Sequence, residues 1–374
     1  MIPNYLDKYI YSQNDILTFN RSVYDESGKL WVYSNRMSAC FCIDLDNFTS
    51  IFIGWNEKCE RIGYGADVVG IYNKYLINIT RDARYVERID TNSFAKEYVF
   101  LEYAGEKKDD KYVSIIMDDK LLLVSVDSNE VYNFDLREIC SQSVVQGKRF
   151  VHKKKNEIVK IENIFCIGQY LVILSAGVPC LEVIDSHDFS SVIYRIDDVG
   201  KEIVDIVFCG SKVYILFIEG HVAIFDKENS KLKDIIINRI ESKAEDKKYR
   251  KLFVIGENIW VFPATKDDIL IGNIVSKKIK IYENYPKDFQ YQFPNYHAKY
   301  ACFSENEEYI YIGQRNANYM MIIDKKTQKE KWTQINLPEY FIHGIFTKDI
   351  IREAEKKVFN ETVICLSDYL QAIK

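Results

Sequence analysis

The sequence predicts an all-β fold built from a repeated unit, and three observations support this prediction. An apolar-apolar-Asp step recurs along the 374-residue chain. The spacing between successive steps is nearly constant. Runs of about five or six residues rich in Val, Ile, Leu, Tyr and Phe alternate with short polar turns, which is typical of paired β-strands. A fixed period in the forties indicates a repeat architecture rather than a chain of unrelated domains.

The repeated step defines seven marker residues, six Asp and one Asn. They are Asp44, Asp90, Asp135, Asp185, Asp226, Asn273 and Asp324. The intervals between them are 46, 45, 50, 41, 47 and 51 residues. Three apolar runs precede each marker and a fourth follows it; in the third repeat the fourth run is SQSVV, residues 141–145. Each repeat is therefore predicted to form four antiparallel strands.

A single four-stranded unit cannot bury both of its faces, so such units stack radially on their neighbours. We therefore predict a seven-bladed β-propeller of four-stranded antiparallel blades with a short helical C-terminal tail. The predicted domains are residues 1–346 for the propeller and 347–374 for a helical C-terminal appendage. In the tail, apolar residues recur at helical spacing and Ser367 suits a helix N-cap. The sequence leaves open whether this helix braces the propeller or recruits a partner.

One repeat carries a recognisable motif. Asp324, Thr327, Lys329 and Trp332 match the D-x-x-T-G-K-x-x-W pattern of the quinoprotein-type repeat, with Gln328 at the glycine position. The other repeats depart from that pattern, and the Gly-His and Trp-Asp pairs of WD40 repeats are absent. The chain thus resembles seven-bladed propellers at large, which include quinoprotein-like, kelch-like and WD40-like repeats. This resemblance implies the fold and carries over neither catalytic residues nor a cofactor.

Composition narrows the classes of partner. The net charge is −5, and acidic and basic residues are interspersed, so we expect binding neither to nucleic acid nor to a membrane. The N-terminus lacks the sectors of a secretory signal, and no apolar run is long enough for a membrane span. Most of the nine cysteines lie in apolar runs, which favours buried free thiols. These features predict a cytoplasmic protein.

Motifs for known chemistries are missing from the sequence. It contains no GxGxxG, P-loop, HExxH, CxxC or GxSxG pattern. The five histidines are dispersed, and none has the spacing of a metal-binding pair. We therefore expect no metal and no cofactor. The charged runs EKKDDK and KAEDKKYRK lie between blades and are interpreted as solvated loops.

A column of arginines suggests a binding surface. The predicted second strands begin at Lys29, Lys74, Lys120, Gln169, Lys212, Asn258 and Glu308. Counting seven residues onward from these positions gives Arg36, Arg81, Asp127, Ala176, Glu219, Thr265 and Arg315. The three arginines fall in blades 7, 1 and 2, which are consecutive once the ring closes. Arginine binds carboxylate or phosphate through two parallel hydrogen bonds. Asp127 and Glu219 would make the opposite rim of this recess acidic.

An aromatic connection between blades 6 and 7 enters on the same face. It carries Phe289, Tyr291, Phe293, Tyr296 and His297. Exposed aromatic side chains are costly unless something covers them. Two interpretations remain open at this point: a local hydrophobic plug over blades 6 and 7, or one wall of a pocket whose charged wall is the arginine column.

Two functional classes follow. The first, which we favour, is a non-catalytic recognition or scaffold propeller that binds a peptide, a protein partner or an anionic small molecule on one face. The second is a metal-independent propeller enzyme, such as a lyase, epimerase or hydrolase, acting on a small anionic or peptide substrate in the same recess. In that case His297, Tyr296 or a carboxylate would serve as acid or base.

Overall fold

The computed structural model describes residues 19–34, 39–56, 58, 66–80, 83–103, 112–126, 130–151, 161–167, 169–175, 180–185, 187–188, 190–195, 203–210, 212–218, 220–226, 231–235, 249–264, 268–286, 300–314 and 319–336. Within these residues, 29 strands form seven sheets, and there is one short helix. Each sheet contains four antiparallel strands from one sequence repeat, and the sheet of blade 2 has a fifth. The predicted C-terminal helix over 347–374 lies outside the described residues.

The first three blades include the one helix among the described residues. Blade 1 consists of β1 (Phe19–Tyr24), β2 (Lys29–Ser34), β3 (Ala39–Asp44) and β4 (Ser50–Trp55). Blade 2 consists of β5 (Ala66–Tyr72), β6 (Tyr75–Thr80), β7 (Tyr85–Asp90) and β8 (Lys96–Glu102). The third repeat contains β9 (Tyr112–Met117), β10 (Lys120–Ser125), β11 (Glu130–Asp135), α1 (Leu136–Ser141), β12 (Val144–Gln146) and β13 (Lys148–Val151).

The remaining four blades follow the same order. Blade 4 consists of β14 (Ile161–Ile167), β15 (Tyr170–Ser175), β16 (Cys180–Asp185) and β17 (Ser191–Arg195). Blade 5 consists of β18 (Ile203–Cys209), β19 (Lys212–Phe217), β20 (Val222–Asp226) and β21 (Lys231–Ile235). Blade 6 consists of β22 (Tyr249–Ile255), β23 (Asn258–Pro263), β24 (Leu270–Asn273) and β25 (Ile279–Ile281). Blade 7 consists of β26 (Tyr300–Glu305), β27 (Tyr309–Gln314), β28 (Tyr319–Asp324) and β29 (Glu330–Gln334).

The marker residues end the third strand of each blade, as predicted. In six of the seven blades the described marker side chain stabilises the segment that follows, because its short carboxylate or amide accepts hydrogen bonds from backbone N–H groups two or three residues later. In blade 7, Asp324 Oδ1 accepts bonds from the backbone N–H groups of Lys326 and Thr327, each at 2.8 Å. In blade 6, Asn273 Oδ1 does the same for Val275 and Ser276, at 3.1 and 2.8 Å. The recurring Asp is therefore a requirement of turn geometry.

The blades form a closed ring. Among the described residues, seven buried apolar clusters lie between adjacent blades, one at each interface, including the interface of blade 7 with blade 1. At the blade 7 to blade 1 interface, the hydroxyls of Ser22 and Ser304 lie 2.5 Å apart. Asn336, which follows β29, donates its N–H to Phe48 O at 2.9 Å and accepts from Ser50 N at 3.1 Å. Backbone bonds and core packing thus hold the first and last blades together.

Blade 3 departs from the prediction. The segment SQSVV was expected to supply its fourth strand, but β12 instead pairs in parallel with β8 of blade 2, Val144 opposite Phe100. The fourth strand of blade 3 is β13, which pairs with β11. Helix α1 connects β11 of blade 3 to β12, and the sequence pattern did not predict this helix. Gly147 joins β12 to β13, where a Cβ would lie 2.6 Å from the ring of buried Phe134. The two blades are interlocked at their outer edges.

The first strand of each blade forms the inner wall of the ring. First strands of neighbouring blades contact one another, for example β18 with β14 and β22, and β1 with β5 and β26. Six of these strands, among the described residues, carry a one-residue irregularity near their start. A β-bulge of this kind bends a strand and redirects the side chains next to it.

Candidate functional site

The ten residues predicted to bind a ligand all lie outside the described residues. They are Arg36, Arg81, Asp127, Glu219, Phe289, Tyr291, Phe293, Tyr296, His297 and Arg315. The structure does describe the strands that lead into the three arginine positions. β2, β6 and β27 end at Ser34, Thr80 and Gln314. Position 36 therefore comes two residues after its strand and positions 81 and 315 one residue after theirs, so the prediction of one identical blade position for the three arginines is wrong by one residue. These three strand ends flank the predicted site.

Strand pairing brings these three strand ends to the same side of the ring. The start of each first strand pairs with the end of the second strand, as in Ala66 with Thr80 and Tyr300 with Gln314. We call this side of the ring the upper end, defined by Ser34, Thr80 and Gln314. The marker residues lie at the opposite side, the lower end. Blades 7, 1 and 2 are consecutive in the closed ring, so the three strand ends are neighbours.

The hairpin that contains position 81 is fixed on both sides. The Thr80 hydroxyl donates to Tyr85 O and the Tyr85 N–H donates back to the same hydroxyl, both at 3.1 Å. The N–H of Ala83 donates to Thr80 O at 2.8 Å. Ala83 is buried and has a positive φ of 55°, a conformation that is uncommon outside glycine and tight turns. The ends of this hairpin are thus held by three hydrogen bonds between backbone and hydroxyl groups.

Gln314 is a buried polar residue at the end of β27. Its side chain is 2% exposed, and its Nε2 has no hydrogen-bond partner among the residues that the structure describes. A buried polar group without a partner costs about 1–3 kcal/mol. Such a group needs an explanation, and a functional role or a bound water or ion are among those known. Gln314 directly precedes Arg315 in the sequence.

The interface of blades 1 and 2 contains a buried polar ladder. Glu87, on β7, is 1% exposed. Its Oε2 accepts a bond from Asn78 Nδ2 at 3.0 Å, and its Oε1 accepts from the Tyr98 hydroxyl at 3.0 Å. Lys96 Nζ lies 3.8 Å from Oε1. Asn78, Glu87 and Tyr98 are paired across β6, β7 and β8, so the acid on β7 is held by donors on the two strands that flank it.

Two features of blade 1 adjoin this polar ladder. Gly54 leaves room for the lysine, because a Cβ at that position would lie 2.7 Å from Lys96 Nζ. Cys40 is fully buried. Burial raises the pKa of the Cys40 thiol well above its usual range, and the negative charge of Glu87 acts in the same direction. Cys40 is therefore held as a neutral thiol and not as a nucleophilic thiolate.

A second buried acid lies on the inner wall. Asp205 on β18 is fully buried, and its Oδ2 accepts a bond from Leu252 N at 2.8 Å. Lys251 Nζ, on β22 of the next blade, lies 3.1 and 3.2 Å from the two carboxylate oxygens. Burial raises the pKa of Asp205, while the Lys251 ammonium and the Leu252 N–H act in the opposite direction. This ion pair connects the inner strands of blades 5 and 6.

The position of Lys251 corrects one sequence interpretation. The run KAEDKKYRK was interpreted as solvated loop, but its last three residues, 249–251, begin β22. Tyr249 is buried there, and Lys251 is paired with Asp205. A charged residue at the start of an apolar strand was the signal available in the sequence. The same applies to Glu87, which interrupts the apolar strand YVERID.

The described beginning of the aromatic connection packs into the core. Tyr282 and Tyr285 lie in the apolar cluster between blades 6 and 7. Trp332 Nε1 donates to the Tyr282 hydroxyl at 2.7 Å, and the rings of Tyr282 and Tyr285 lie 5.1 Å apart. Tyr300, the first residue of β26, is buried in the same cluster. This local packing concerns the beginning of the connection, whereas its residues 287–299 lie outside the described part.

The described residues contain no group of His, Cys, Asp or Glu side chains arranged to hold a metal ion. They also contain no helix long and apolar enough to cross a membrane. Cys40, Cys42, Cys140, Cys166, Cys209 and Cys302 form no disulfide within this part of the chain.

Comparison with known proteins agrees with this architecture. No family model and no curated protein matches the chain. Solved structures do match it. The extracellular domain of a B. thetaiotaomicron protein described as a one component system has a TM-score of 0.59 and 10% identity, over 84% of this chain and 41% of that one. The present chain thus spans about two fifths of that relative's length. The fold is that of a seven-bladed β-propeller.

Two further propellers in the comparison are enzymes by their descriptions. Streptogramin B lyase has a TM-score of 0.57 and 8% identity, over 87% of this chain and 97% of that chain. The dihydro-heme d1 dehydrogenase NirN has a TM-score of 0.55 and 12% identity, over 88% of this chain and 69% of that chain. Identities this low establish a shared fold and leave the activity to be argued from the site itself.

Proposed function

We propose that this protein is a recognition propeller that binds a peptide, a protein partner or an anionic small molecule at the upper end of the ring. Arg36, Arg81 and Arg315 would bind its acidic group. The observation that supports this most directly is that β27, β2 and β6 end side by side in three consecutive blades of a closed ring. Each of these strands leads within two residues into one of the arginines.

The surroundings of these strand ends support a binding role. The Thr80 and Tyr85 bonds fix the hairpin that contains position 81, and fixed geometry reduces the entropy lost on binding. Buried Gln314 brings an unsatisfied amide to the position before Arg315. The aromatic residues Phe289, Tyr291, Phe293 and Tyr296, with His297, would form the second wall. Asp127 and Glu219 would form an acidic rim opposite the arginines, which suits an extended peptide or a zwitterion better than a polyanion.

The experiment begins with native mass spectrometry of the purified protein, to identify a molecule that stays bound. Arg315→Ala should weaken its binding roughly tenfold to hundredfold, since a charge-assisted hydrogen bond is worth about 1.5–3 kcal/mol. Arg315→Lys should restore only part of the affinity, because an ammonium keeps the charge and loses the planar fork. The matched control is Lys326→Ala, which removes an exposed positive charge at the lower end of the same blade.

Melting curves separate binding from stability in this series. If Arg315→Ala lowers the melting temperature by many degrees, the arginine is structural. If it alters neither melting nor binding, the arginine column reflects turn composition and the proposal is wrong. The intracellular location and the helical tail over 347–374 stay predictions, which fractionation of the source cells and a circular dichroism spectrum of the tail peptide would test.

A second candidate function is catalysis at the same end. The observation that favours it is the likeness to streptogramin B lyase, which extends over nearly the whole length of both chains. In this case His297, Tyr296 or a carboxylate would act as general acid or base, with the arginines neutralising a developing negative charge. Turnover of the bound molecule, lost in His297→Gln with its binding retained, would distinguish an enzyme from a recognition module.

A further inference from the structure

Lys251 occupies an unusual place on the inner wall of the ring. It belongs to β22 in blade 6, forms an ion pair with Asp205 on β18 in blade 5, and reaches Phe165 on β14 in blade 4. Its Nζ lies 5.8 Å from the centroid of the Phe165 ring and 5.6 Å from that of Phe253. One ammonium therefore contacts the inner strands of three consecutive blades. Asp205 and Lys251 each lie one residue pair from the upper end of their strands.

The ammonium retains binding capacity beyond its ion pair. Lys251 has three N–H donors, and the two carboxylate oxygens of Asp205 account for at most two of them. The side chain of Lys251 is 25% exposed, whereas that of Asp205 is fully buried. An incoming group therefore meets the cation and not the acid. Arg250, in the bulge immediately before Lys251, is exposed and adds a second positive charge.

The stability of the fold gives no simple reason for this pair. Taking two charges out of water is costly. A protein in which well-packed apolar residues replace a buried ion pair is often as stable as the original or more stable. The equivalent position after the bulge does not carry a charge in every inner strand: β26 has Cys302 and β14 has Asn163 there, although β1 has Arg21.

We propose that the inner wall at Lys251 is a binding site for a small carboxylate with an apolar body. The ammonium would donate a charge-assisted hydrogen bond to the carboxylate, and half-buried Phe165 would contact the apolar part. The choice of an anionic ligand rests on the proposed function, but the residues are different and lie on blades 4, 5 and 6. The arginine column lies on blades 7, 1 and 2.

The test uses benzoate as the probe and benzyl alcohol as its uncharged counterpart. Removing Lys251 alone would leave Asp205 buried without its cation and could unfold the protein, so the variants start from the acid. Asp205→Asn keeps an acceptor for the Leu252 N–H and frees the ammonium from its carboxylate. We expect it to bind benzoate as tightly as the wild type or more tightly. The double variant Asp205→Asn with Lys251→Met removes the cation and should bind benzoate about tenfold to hundredfold more weakly.

A measurement on the protein without substitutions follows Lys251 directly. Reductive methylation with 13C labels the lysine side chains, and the Lys251 signal is assigned from its absence in the double variant or, if that variant does not fold, in Lys251→Arg. Benzoate should shift this signal, and benzyl alcohol should not. The proposal is overturned if benzoate leaves the signal unchanged or if the double variant binds it as well as Asp205→Asn does. Arg315→Ala should leave benzoate binding intact, so failure of one proposal is distinguishable from failure of the other.

Discussion

The side-chain amide of Asn258 in blade 6 donates a hydrogen bond to Oε1 of Gln328 in blade 7. Gln328 lies in the turn that follows marker Asp324 and has a positive φ of 58°. Its side chain passes over Gly256, where a Cβ would lie 2.5 Å from Gln328 Nε2. Gln328 is the residue that replaces glycine in the quinoprotein-type motif. Gln328 therefore adopts the left-handed conformation that glycine would adopt there, and its side chain adds a hydrogen bond to the preceding blade.

Other blades use the same turn position in the same way. Phe48, Phe94 and Lys277 also lie four residues after their markers and have φ values of 56°, 61° and 55°. Phe94 of blade 2 contacts Trp31 of blade 1, with ring centroids 5.9 Å apart. Phe48 of blade 1 lies under Lys331 Nζ of blade 7 at 5.4 Å. The left-handed conformation costs about 1–2 kcal/mol for a residue with a Cβ, and inter-blade contact offsets this cost.

This balance predicts an unusual order of stability at position 94. Phe94→Ala removes the ring but keeps a Cβ in the left-handed conformation, so we expect it to destabilise the protein by about 2–4 kcal/mol. Phe94→Gly should be about 1 kcal/mol less destabilising than Phe94→Ala, because glycine adopts positive φ freely. Equilibrium urea unfolding measures both. Val99 on β8 provides the control: there alanine should be better than glycine. A Phe94→Gly protein less stable than Phe94→Ala would contradict the argument.

Much of the fold follows from local sequence patterns, which explains why it was predictable. Within a blade each strand pairs with the next one along the chain, except at β12, and the described marker side chains bond the segment that follows the third strand. The exchange of β12 into blade 2 could not be predicted in this way, because a three-residue parallel pairing leaves no periodic pattern. Buried charges were also missed. Glu87 and Lys251 are stabilised by partners in other strands or blades, and a single sequence does not show which residues meet there.

Acid should weaken the turns at the lower end. The Lys74 ammonium, 2.6 Å from Asp90, and the N–H groups of Ser93 and Asn92 lower the pKa of that carboxyl. The folded carboxyl thus binds a proton less readily than the unfolded one. Its contribution to stability is present above the usual pKa of Asp, about 3.9, and is lost as the pH falls through the lower folded value.

The matching substitution is Asp90→Asn, because Asn273 forms the same turn in blade 6. We expect a small decrease in melting temperature near neutral pH, since the Lys74 side chain of this pair is 54% exposed and solvent screens its charge. The loss of melting temperature between about pH 6 and pH 2 should be smaller than in the wild type. Thermal melts across this range provide the measurement. An unchanged acid profile would show that Asp90 does not contribute to it.

Thiol accessibility should follow burial. Cys209 is exposed, while Cys40 and Cys302 are buried. Burial raises the pKa of Cys302 to about 12, so little reactive thiolate forms near pH 8. Brief iodoacetamide treatment of folded protein should label Cys209 and leave Cys40 and Cys302 unmodified. Mass spectrometry of the digested protein locates the label. Protein unfolded in urea should be labelled at all three positions, and equal labelling of Cys302 in the folded protein would contradict the structure.

Glu87 should contribute more to stability than any exposed acid of the same blade. Glu87→Leu leaves the Asn78 amide and the Tyr98 hydroxyl without their acceptor, so we expect a loss of about 3–5 kcal/mol. Glu87→Gln keeps an acceptor for one of these donors and should cost about half as much. Glu97→Gln is the matched control, because its side chain is 60% exposed and surface ion pairs are worth about 0–1 kcal/mol.

Urea unfolding measures the free energy of unfolding of each variant in this series. Ligand binding provides a second measurement. β7 begins at Tyr85, whose N–H and carbonyl bond the Thr80 hydroxyl. Displacing Glu87 should therefore also disturb the hairpin that contains position 81. Under the proposed function, Glu87→Gln should weaken ligand binding more than Glu97→Gln does, at a temperature where both proteins are fully folded. A Glu87→Leu protein as stable as the wild type would show that apolar packing alone holds blades 1 and 2 together, since the polar ladder would then contribute nothing to their interface.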